Sequence, residues 1–274
     1  MSLGFWSFGS GSSGNSYLIQ TEDTSVLVDA GCSGKRIFTG LAERGLKPSD
    51  LDAVLITHEH EDHVRGLGML IKRAPGLTVK ATRGTMSRIM PRLGFVPEED
   101  SPRANAETVT VGEAFDVGSL RVRPFLLEHD AAEPCGYSFS SGGRMISVVT
   151  DTGRVTDDMI LAVKESDLLV LEANYERNIL LMGRYPYSLK MRILSDYGHV
   201  SNEDAAAVLA KVLRSREKDN MPVFALAHLS KENNTPEMAR MTVSNILYEE
   251  GFREDRDFAL KVFKRDEFGE YVRL

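Results

Sequence analysis

The sequence predicts an α/β fold in which β-sheets are layered with α-helices. Segments rich in β-branched and apolar residues alternate with segments whose apolar residues recur at helical spacing. The 274 residues contain no repeat, low-complexity tract or long polar linker. Hydrophobic residues make up 42% and charged residues 27%, which is ordinary for a globular protein. We therefore expect one domain over residues 1–274.

The predicted elements follow one another closely along the chain. Strands are expected at residues 17–20, 25–29, 53–57, 79–82, 120–128, 145–150, 168–172 and 222–227. Helices are expected at residues 34–44, 64–74, 85–93, 157–164, 202–214 and 236–250. The helix at 202–214 has the clearest start, because Ser201 and Asp204 have the spacing of a reciprocal cap. His199 lies just before this cap, where helix amides attract anions such as a phosphate or carboxylate.

The strand at 53–57 runs directly into a dense group of potential metal ligands. The segment His58-Glu-His60-Glu-Asp62-His63 holds three of the six histidines of the chain. Such a cluster fills a protein core poorly, whereas imidazole and carboxylate groups suit zinc and neighbouring first-row metals. The sequence therefore predicts a metal site at the mouth of a sheet.

Three other polar residues stand at or just beyond predicted strand ends, namely His129, Asp151 and His228. Ligands gather at the carboxyl ends of strands in open sheets, so these residues are expected on the same rim as the 58–63 cluster. Taken singly, each histidine would more often be a hydrogen-bonded interior residue, and Asp151 a turn residue. Their combination with the cluster favours metal binding.

The net charge of −7 argues against a polyanionic partner, but its distribution is uneven. Residues 64–103 carry eight Lys or Arg against three Asp or Glu, and residues 177–195 carry four basic residues and no acidic one. Such runs are more often solvated faces, yet they permit nucleic-acid binding. No apolar run approaches the roughly 20 residues of a membrane helix, and no signal peptide is recognisable. With only Cys32 and Cys135, we expect a cytoplasmic protein with free thiols, no membrane partner and no disulfide framework.

Longer motifs show a resemblance to a known family. They are Phe8-Gly-Ser-Gly-Ser-Ser-Gly-Asn-Ser16, Leu27-Val-Asp-Ala-Gly31, Gly198-His-Val-Ser-Asn-Glu-Asp-Ala205 and His228-Leu-Ser-Lys-Glu-Asn-Asn-Thr235. Together with the order His-x-His-x-Asp-His, His, Asp, His, they resemble the metallo-β-lactamase-fold hydrolases and, within them, the WalJ (YycJ) family of bacterial proteins. The resemblance implies a four-layer αββα sandwich with metals in a groove at the edge of its two sheets.

The resemblance also implies which residues bind metal. His58, His60 and His129 would hold one divalent ion, Asp62, His63 and His228 a second, and Asp151 would bridge them. Zinc is the first expectation, with manganese or iron as alternatives, because all three tolerate such ligands. Asp29 resembles an acid that supports a metal-bound histidine, and a turn role for Asp29 stays open.

The activity implied is 5′-to-3′ exonuclease cleavage of DNA, connected with repair. The expected mechanism is attack on phosphorus by a metal-bridging hydroxide. Asp62 would take a proton from the water, and His199 would steady the phosphoryl oxygens or protonate the leaving oxygen. For His199, helix capping alone is the alternative.

Two other functions stay open at this point. A thioester, ester or lactone hydrolase of the glyoxalase II-like kind uses a similar metal cage, and a non-catalytic regulatory member would share the fold. The complete ligand set argues against the latter. Lactam cleavage is disfavoured, because lactam-cleaving members often place Cys where this chain has Asp151. Only 47 residues separate Asp151 from His199, and 28 separate His199 from His228, which leaves no room for the extra domain of β-CASP nucleases.

Weaker patterns suggest substrate contacts. Ser12, Ser13 and Asn15 form a Gly/Ser loop that could cradle a phosphate, with a plain flexible turn as the alternative. Arg184 and Tyr185 lie in the basic segment 177–195 and suit phosphate and base contacts, although ordinary packing of Tyr185 is the alternative. Lys231 and Asn233 follow a predicted metal ligand and could touch substrate.

Overall fold

The computed structural model describes residues 2–93 and 105–274, so residues 94–103 of the basic run lie outside the described part. Two seven-stranded sheets pack face to face, with strand orders β14-β1-β2-β3-β4-β5-β6 and β13-β12-β11-β10-β9-β8-β7. Apolar clusters lie between the sheets and between each sheet and its helices. This is the αββα sandwich expected from the sequence.

The strands, in chain order, are β1 (Gly4–Gly9), β2 (Ser16–Gln20), β3 (Ser25–Val28), β4 (Ala53–Leu55), β5 (Thr78–Thr82), β6 (Asn105–Val109), β7 (Phe115–Val117), β8 (Leu120–Leu126), β9 (Cys135–Ser141), β10 (Arg144–Val149), β11 (Leu168–Glu172), β12 (Val223–Ala227), β13 (Ala259–Val262) and β14 (Val272–Arg273). The helices are α1 (Gly34–Glu43), α2 (Glu61–Val64), α3 (Leu67–Arg73), α4 (Arg83–Ile89), α5 (Asp157–Val163), α6 (Arg177–Met182), α7 (Tyr187–Ile193), α8 (Asn202–Ser215) and α9 (Pro236–Glu249). None of the helices in the described parts of the chain is long and apolar enough to cross a membrane.

The core between the sheets is built mainly from large side chains that alternate along the strands. Phe5 and Tyr17 from the first sheet, and Tyr137 and Phe139 from the second, are fully buried there. The parallel strands β10, β11 and β12 are almost wholly apolar, because α5, α8 and α9 cover their other face. The predicted cap at the start of α8 also forms, because the Ser201 hydroxyl accepts a hydrogen bond from the Asp204 amide at 3.0 Å.

All eight predicted strands and all six predicted helices have counterparts in the structure, with shifted ends. The predicted helix 64–74 corresponds to α3, and α2 ends at Val64, where the prediction begins; between them, the Gly66 amide donates to the Ala30 carbonyl at 2.7 Å. A side chain at Gly66 would collide with the backbone of residues 30 and 32, so glycine is required there. The sequence did not predict β1, β6, β7, β9, β13 and β14, nor the short helices α6 and α7. α6 and α7 have six and seven residues, too few for a clear helical period.

Candidate metal centre

The site lies where strands of both sheets end. Asp29 directly follows β3, and His228 directly follows β12. Asp151 follows β10 after one intervening residue. All three have left-handed backbones, with φ of 57°, 60° and 53°. Non-glycine residues occupy this region at an energetic cost, and such residues cluster at functional sites. The three sharp turns bring their side chains to one shared rim.

The first group of potential ligands consists of His58, His60 and His129. One nitrogen of each lies within 4.8 Å of the others. The His129 Nε2 and His60 Nδ1 atoms are 3.3 Å apart. The second group consists of Asp62, His63 and His228, again within 4.8 Å of one another. The structure therefore brings together all the ligands expected for two separate ions.

Asp151 lies between the two groups. Its Oδ2 is 3.0 Å from His63 Nε2, and its Oδ1 is 3.9 Å from His129 Nε2 and 3.4 Å from His228 Nδ1. Although Oδ2 is close to His63, the two atoms do not have hydrogen-bond geometry. A carboxylate in contact with both groups is well placed to bridge two cations.

Four of the histidines are held by Nδ1 and present Nε2 to the centre. His63 Nδ1 donates to Asp29 Oδ2 at 2.8 Å, and His129 Nδ1 donates to the Gly198 carbonyl at 3.0 Å. His58 Nδ1 lies 3.1 Å from Thr57 Oγ1, whereas its buried Nε2 has no hydrogen-bond partner among the described residues. His228 Nδ1 likewise donates to Glu172 Oε1, at 2.8 Å. Metal-binding histidines are usually held in this way, so the residues fit divalent cations.

Asp29 lies where the resemblance expects an acid that supports a metal-bound histidine, because its carboxylate accepts a hydrogen bond from His63 Nδ1. It is fully buried, and Thr57 donates to its carboxylate from both the amide, at 2.8 Å, and the hydroxyl. Its positive φ also makes it a turn residue. The geometry of Asp29 is thus compatible with both alternatives left open by the sequence.

The acids and histidines stabilise one another's charges. Burial acts to lower the pKa of His228, but the Asp151 carboxylate and hydrogen bonds to Asp62 and Glu172 outweigh it and raise the pKa to about 10. Burial likewise opposes protonation of His63, whose pKa is nevertheless well above its usual value because of Asp151 and Asp29. For His58, burial and the neighbouring His63 hold the pKa well below its usual range. A proton and a cation therefore compete for His63 and His228.

Glu172 is a functional candidate that the sequence analysis missed. It ends β11 and is fully buried. Its Oε1 accepts hydrogen bonds from His228 Nδ1 at 2.8 Å and His199 Nδ1 at 2.7 Å, and its Oε2 accepts one from the Thr152 amide at 3.0 Å. One sequence feature could have indicated Glu172 as a site residue: it is a carboxylate at the end of an otherwise apolar strand, Leu168-Leu-Val-Leu-Glu172.

His199 completes the set, because all six histidines meet at this rim. Its ring centroid is 5.2 Å from that of His129 and 5.4 Å from that of His228. Its side chain is 16% exposed, so it reaches the groove. Burial acts to lower the pKa of His199, but the carboxylates of Glu172 and Asp151 outweigh it and raise the pKa. The hydrogen bond from His199 Nδ1 to the Glu172 carboxylate favours the protonated form of the ring.

A cavity of about 250 Å³ opens over these residues. Besides the histidines and acids of the rim, its walls include Ser12, Asn174, Tyr185, Leu189, Arg192, Ile193 and Ser230. A larger cavity of about 760 Å³ lies over β8, β9 and α5, but its lining contains no histidine. The smaller cavity is therefore the functional candidate, because the convergent polar groups are there.

The residues expected to touch substrate occupy different places. Ser12 and Tyr185 line the cavity, whereas Ser13, Arg184 and Lys231 lie outside its lining. Asn15 is fully buried, and its Nδ2 lies 3.0 Å from His63 Nε2. Asn233 is also buried, and its Nδ2 donates to Ser230 Oγ at 3.3 Å. These placements correct the expectation for Asn15 and Asn233, because buried amides with internal partners support the loops instead of facing a substrate.

Comparison with known proteins agrees with this geometry. Residues 24–217 match the family model for the beta-lactamase superfamily domain. The structure of YhfI, a metallo-beta-lactamase fold protein from Bacillus subtilis, superimposes with a TM-score of 0.71 at 17% identity, covering 98% of this chain and 99% of that one. The fold and the clustered ligands thus define a member of the metallo-β-lactamase superfamily.

Two curated relatives narrow the assignment. The exodeoxyribonuclease YycJ of Bacillus anthracis is 40% identical over 252 residues, covering 92% of each chain. The exodeoxyribonuclease WalJ of Streptococcus pneumoniae serotype 2 (strain D39) is 42% identical over 238 residues, covering 87% of this chain and 86% of the relative. The chain belongs to the WalJ (YycJ) family.

Proposed function

We propose that this chain is a metal-dependent exodeoxyribonuclease that removes nucleotides from the 5′ end of DNA. The relatives named above support the substrate and the reaction. The observation that carries the proposal in this chain is the pair formed by His199 and Glu172, 2.7 Å apart beside the two ligand groups. A buried carboxylate that holds a histidine protonated supplies a cationic donor for a phosphoryl oxygen.

We propose zinc as the native metal, with manganese or iron as alternatives. His58, His60 and His129 would hold one ion, Asp62, His63 and His228 the other, and Asp151 both. Two such ions would stabilise negative charge on the phosphoryl group and lower the pKa of the attacking water. The free, buried thiols of Cys32 and Cys135 are in keeping with the cytoplasmic location expected from the sequence.

The chain's own residues supply the remaining steps. The Asp62 side chain is 23% exposed, so it can accept a hydrogen bond and then a proton from the attacking water. Burial acts to raise the pKa of Asp62, but His63 and His228 outweigh it and lower the pKa, so the carboxylate is ionised and can accept a hydrogen bond from the water. His199 donates to the phosphoryl or leaving oxygen, and Glu172 keeps its ring in place.

The test is to assay the zinc- or manganese-loaded protein on 5′-labelled duplex DNA, 3′-labelled duplex DNA, single-stranded RNA and a thioester in parallel. We expect early release of label as a mononucleotide from the 5′-labelled DNA only. The variant His199→Ala should lower kcat on DNA by about 100-fold or more, because it removes the proton donor. Cleavage of the thioester alone would contradict the nuclease assignment, and cleavage of RNA alone would contradict the substrate.

The matched control is Arg121→Ala, on the exposed β7–β8 hairpin, which should cleave DNA as the wild type does. Metal content should be measured for His199→Ala as well, because one of its nitrogens lies within reach of Asp151 and His228. An activity loss with full metal content supports the donor role. An unchanged kcat would exclude it.

A further inference from the structure

A network of three hydrogen-bonded side chains, Ser10, Tyr17 and Asn15, joins two of the potential metal ligands, and all three are fully buried. At one end, the His228 amide donates to Ser10 Oγ at 2.8 Å, and Ser10 Oγ lies 2.8 Å from the Tyr17 hydroxyl oxygen. That hydroxyl donates to Asn15 Oδ1 at 3.2 Å. At the other end, Asn15 Nδ2 lies 3.0 Å from His63 Nε2. The network thus connects the backbone of one potential ligand to the ring of another.

The same network also holds Asp62. The Asn15 amide donates to the Asp62 carbonyl at 2.8 Å, and Asn15 Nδ2 lies 3.4 Å from that oxygen. Every member of the second ligand group is therefore tied to the network. Among the described residues, no member of the first group hydrogen-bonds to it, and Thr57 and the Gly198 carbonyl hold two of those histidines instead. The two ligand groups thus have separate supports.

The orientation of the Asn15 side-chain amide is fixed by Gly11. Asn15 Oδ1 accepts from the Gly11 amide at 2.8 Å, and Nδ2 donates to the Gly11 carbonyl at 3.2 Å, so exchanging the two atoms would lose both bonds. An N–H donor therefore faces His63 Nε2, while Nδ1 of the same ring donates to Asp29. This arrangement favours a lone pair over a proton on Nε2, the atom through which His63 would bind a cation.

The Gly/Ser loop has the backbone that this geometry needs. Gly14 has a φ of 142°, which side chains rarely adopt, and a Cβ there would lie 2.5 Å from the Gly31 carbonyl oxygen. Glycine at this position lets the loop turn tightly beside Gly31, whose amide donates to the Asn15 carbonyl at 2.8 Å. The loop therefore places Asn15 next to the second ligand group.

We infer that Ser10, Tyr17 and Asn15 position the second ligand group selectively, so that the chain can lose the second ion while it keeps the first. Asn15 is the main positioning residue, because it contacts both Asp62 and His63. Metal ligands depend on hydrogen-bonded partners of this kind for their orientation. This inference rests on the proposed assignment of two ions to these residues, but not on DNA as the substrate.

The experiment counts the zinc ions bound per folded chain by native mass spectrometry while a chelator is titrated. Wild type should bind two. Asn15→Ala should weaken one of them by about 10–100-fold and leave the other unchanged, which is the usual cost of losing a residue that supports a ligand. Tyr17→Phe should weaken the same ion by roughly fivefold, the effect of one buried hydrogen bond. Should Asn15→Ala fail to fold, Tyr17→Phe alone carries the test.

The matched control is Tyr137→Phe. Tyr137 is also fully buried between the sheets, and its hydroxyl donates at 3.0 Å to the carbonyl of Ile56, which belongs to neither ligand group. This variant should lower the free energy of unfolding, as Tyr17→Phe does, but leave the affinity for both ions unchanged. The inference is wrong if Tyr17→Phe and Tyr137→Phe bind zinc equally well. It is also wrong if Tyr17→Phe weakens both ions to the same extent.

Two further variants identify the ion that is affected. His60→Ala removes a ligand of the first group and His228→Ala one of the second, so each should keep one ion. Adding Tyr17→Phe should weaken the ion that remains in His60→Ala and have no effect on the ion that remains in His228→Ala. The opposite pattern would overturn the inference.

The metal count also separates this inference from the proposed function, because it does not depend on cleavage. If wild type binds two ions, the variants behave as expected and no DNA is cleaved, the nuclease proposal is wrong and the inference stands. If wild type binds fewer than two ions, the inference fails together with the two-ion assignment.

Discussion

A buried carboxylate stands at each end of strand β11, Asp167 immediately before it and Glu172 as its last residue, and the two have different partners. At the amino end, Asp167 accepts hydrogen bonds from Lys218 Nζ at 2.9 Å, Asn220 Nδ2 at 2.6 Å and the Met145 amide at 2.7 Å. The guanidinium groups of Arg144 and Arg216 lie 3.2 and 3.6 Å away. At the carboxyl end, the partners of Glu172 are His199, His228 and one amide.

The two environments shift the pKa in the same direction. Burial acts to raise the pKa of Asp167 and of Glu172, but in each case the hydrogen-bonding and cationic neighbours outweigh it and lower the pKa. A shifted pKa therefore does not separate a structural acid from a functional one. The partners separate the two acids. Asp167 is surrounded by permanently charged lysine and arginine side chains. Glu172 is instead bonded to His199 and His228, which belong to the group of potential metal ligands.

The largest effect is expected from Asp151→Ala, which removes the acid shared by both ligand groups. Loss of a residue that only supports a ligand costs about 10–100-fold in metal affinity or activity, so loss of the bridging acid should cost more than about 100-fold. DNA cleavage and bound metal, measured by mass spectrometry, should fall together. A variant that retained two ions per chain would refute the bridging role.

A smaller effect on catalysis is expected from Glu172→Gln. The neutral amide no longer favours protonated His199 and orients His228 less well, so activity should fall by about 10–100-fold. Steady-state cleavage and metal content, compared with those of Asp167→Asn, measure this change. If both variants lose the same fraction of activity, the contrast between the two ends of β11 is mistaken.

Asp167→Asn should leave the activity of the folded enzyme unchanged and lower the free energy of unfolding by about 2–3 kcal/mol at pH 7, because buried Arg216 loses its counter-charge. Urea unfolding measures this difference. Because the folded-state pKa of Asp167 is lowered, its contribution is fully present above the ordinary aspartate pKa of about 3.9. The difference from wild type should shrink as the pH falls below that value. A difference that grows on acidification would contradict this assignment.

The same contrast explains what the sequence could predict. The potential metal ligands are adjacent in sequence or stand at or just after recognisable strand ends, so their convergence followed from the fold class. Glu172 was missed because its function comes from His199, 27 residues later, and His228, 56 residues later. Arg192, which lines the cavity, pairs with Asp130 across 62 residues and depends on the short helix α7, which has no clear sequence period. Asn15 and Asn233 were assigned to substrate because a Gly/Ser loop and a polar run do not reveal burial.

The rim also has a simple ionic balance. Asp29, Asp62, Asp151 and Glu172 provide four carboxylates around histidines that are neutral when they bind metal. Two divalent cations would compensate these four charges in full, and a protonated His199 would add one positive charge, so a polyanion would approach a weakly positive pocket although the whole chain carries a net charge of −7. The charge that meets the substrate would therefore be set within the pocket and not by the chain as a whole.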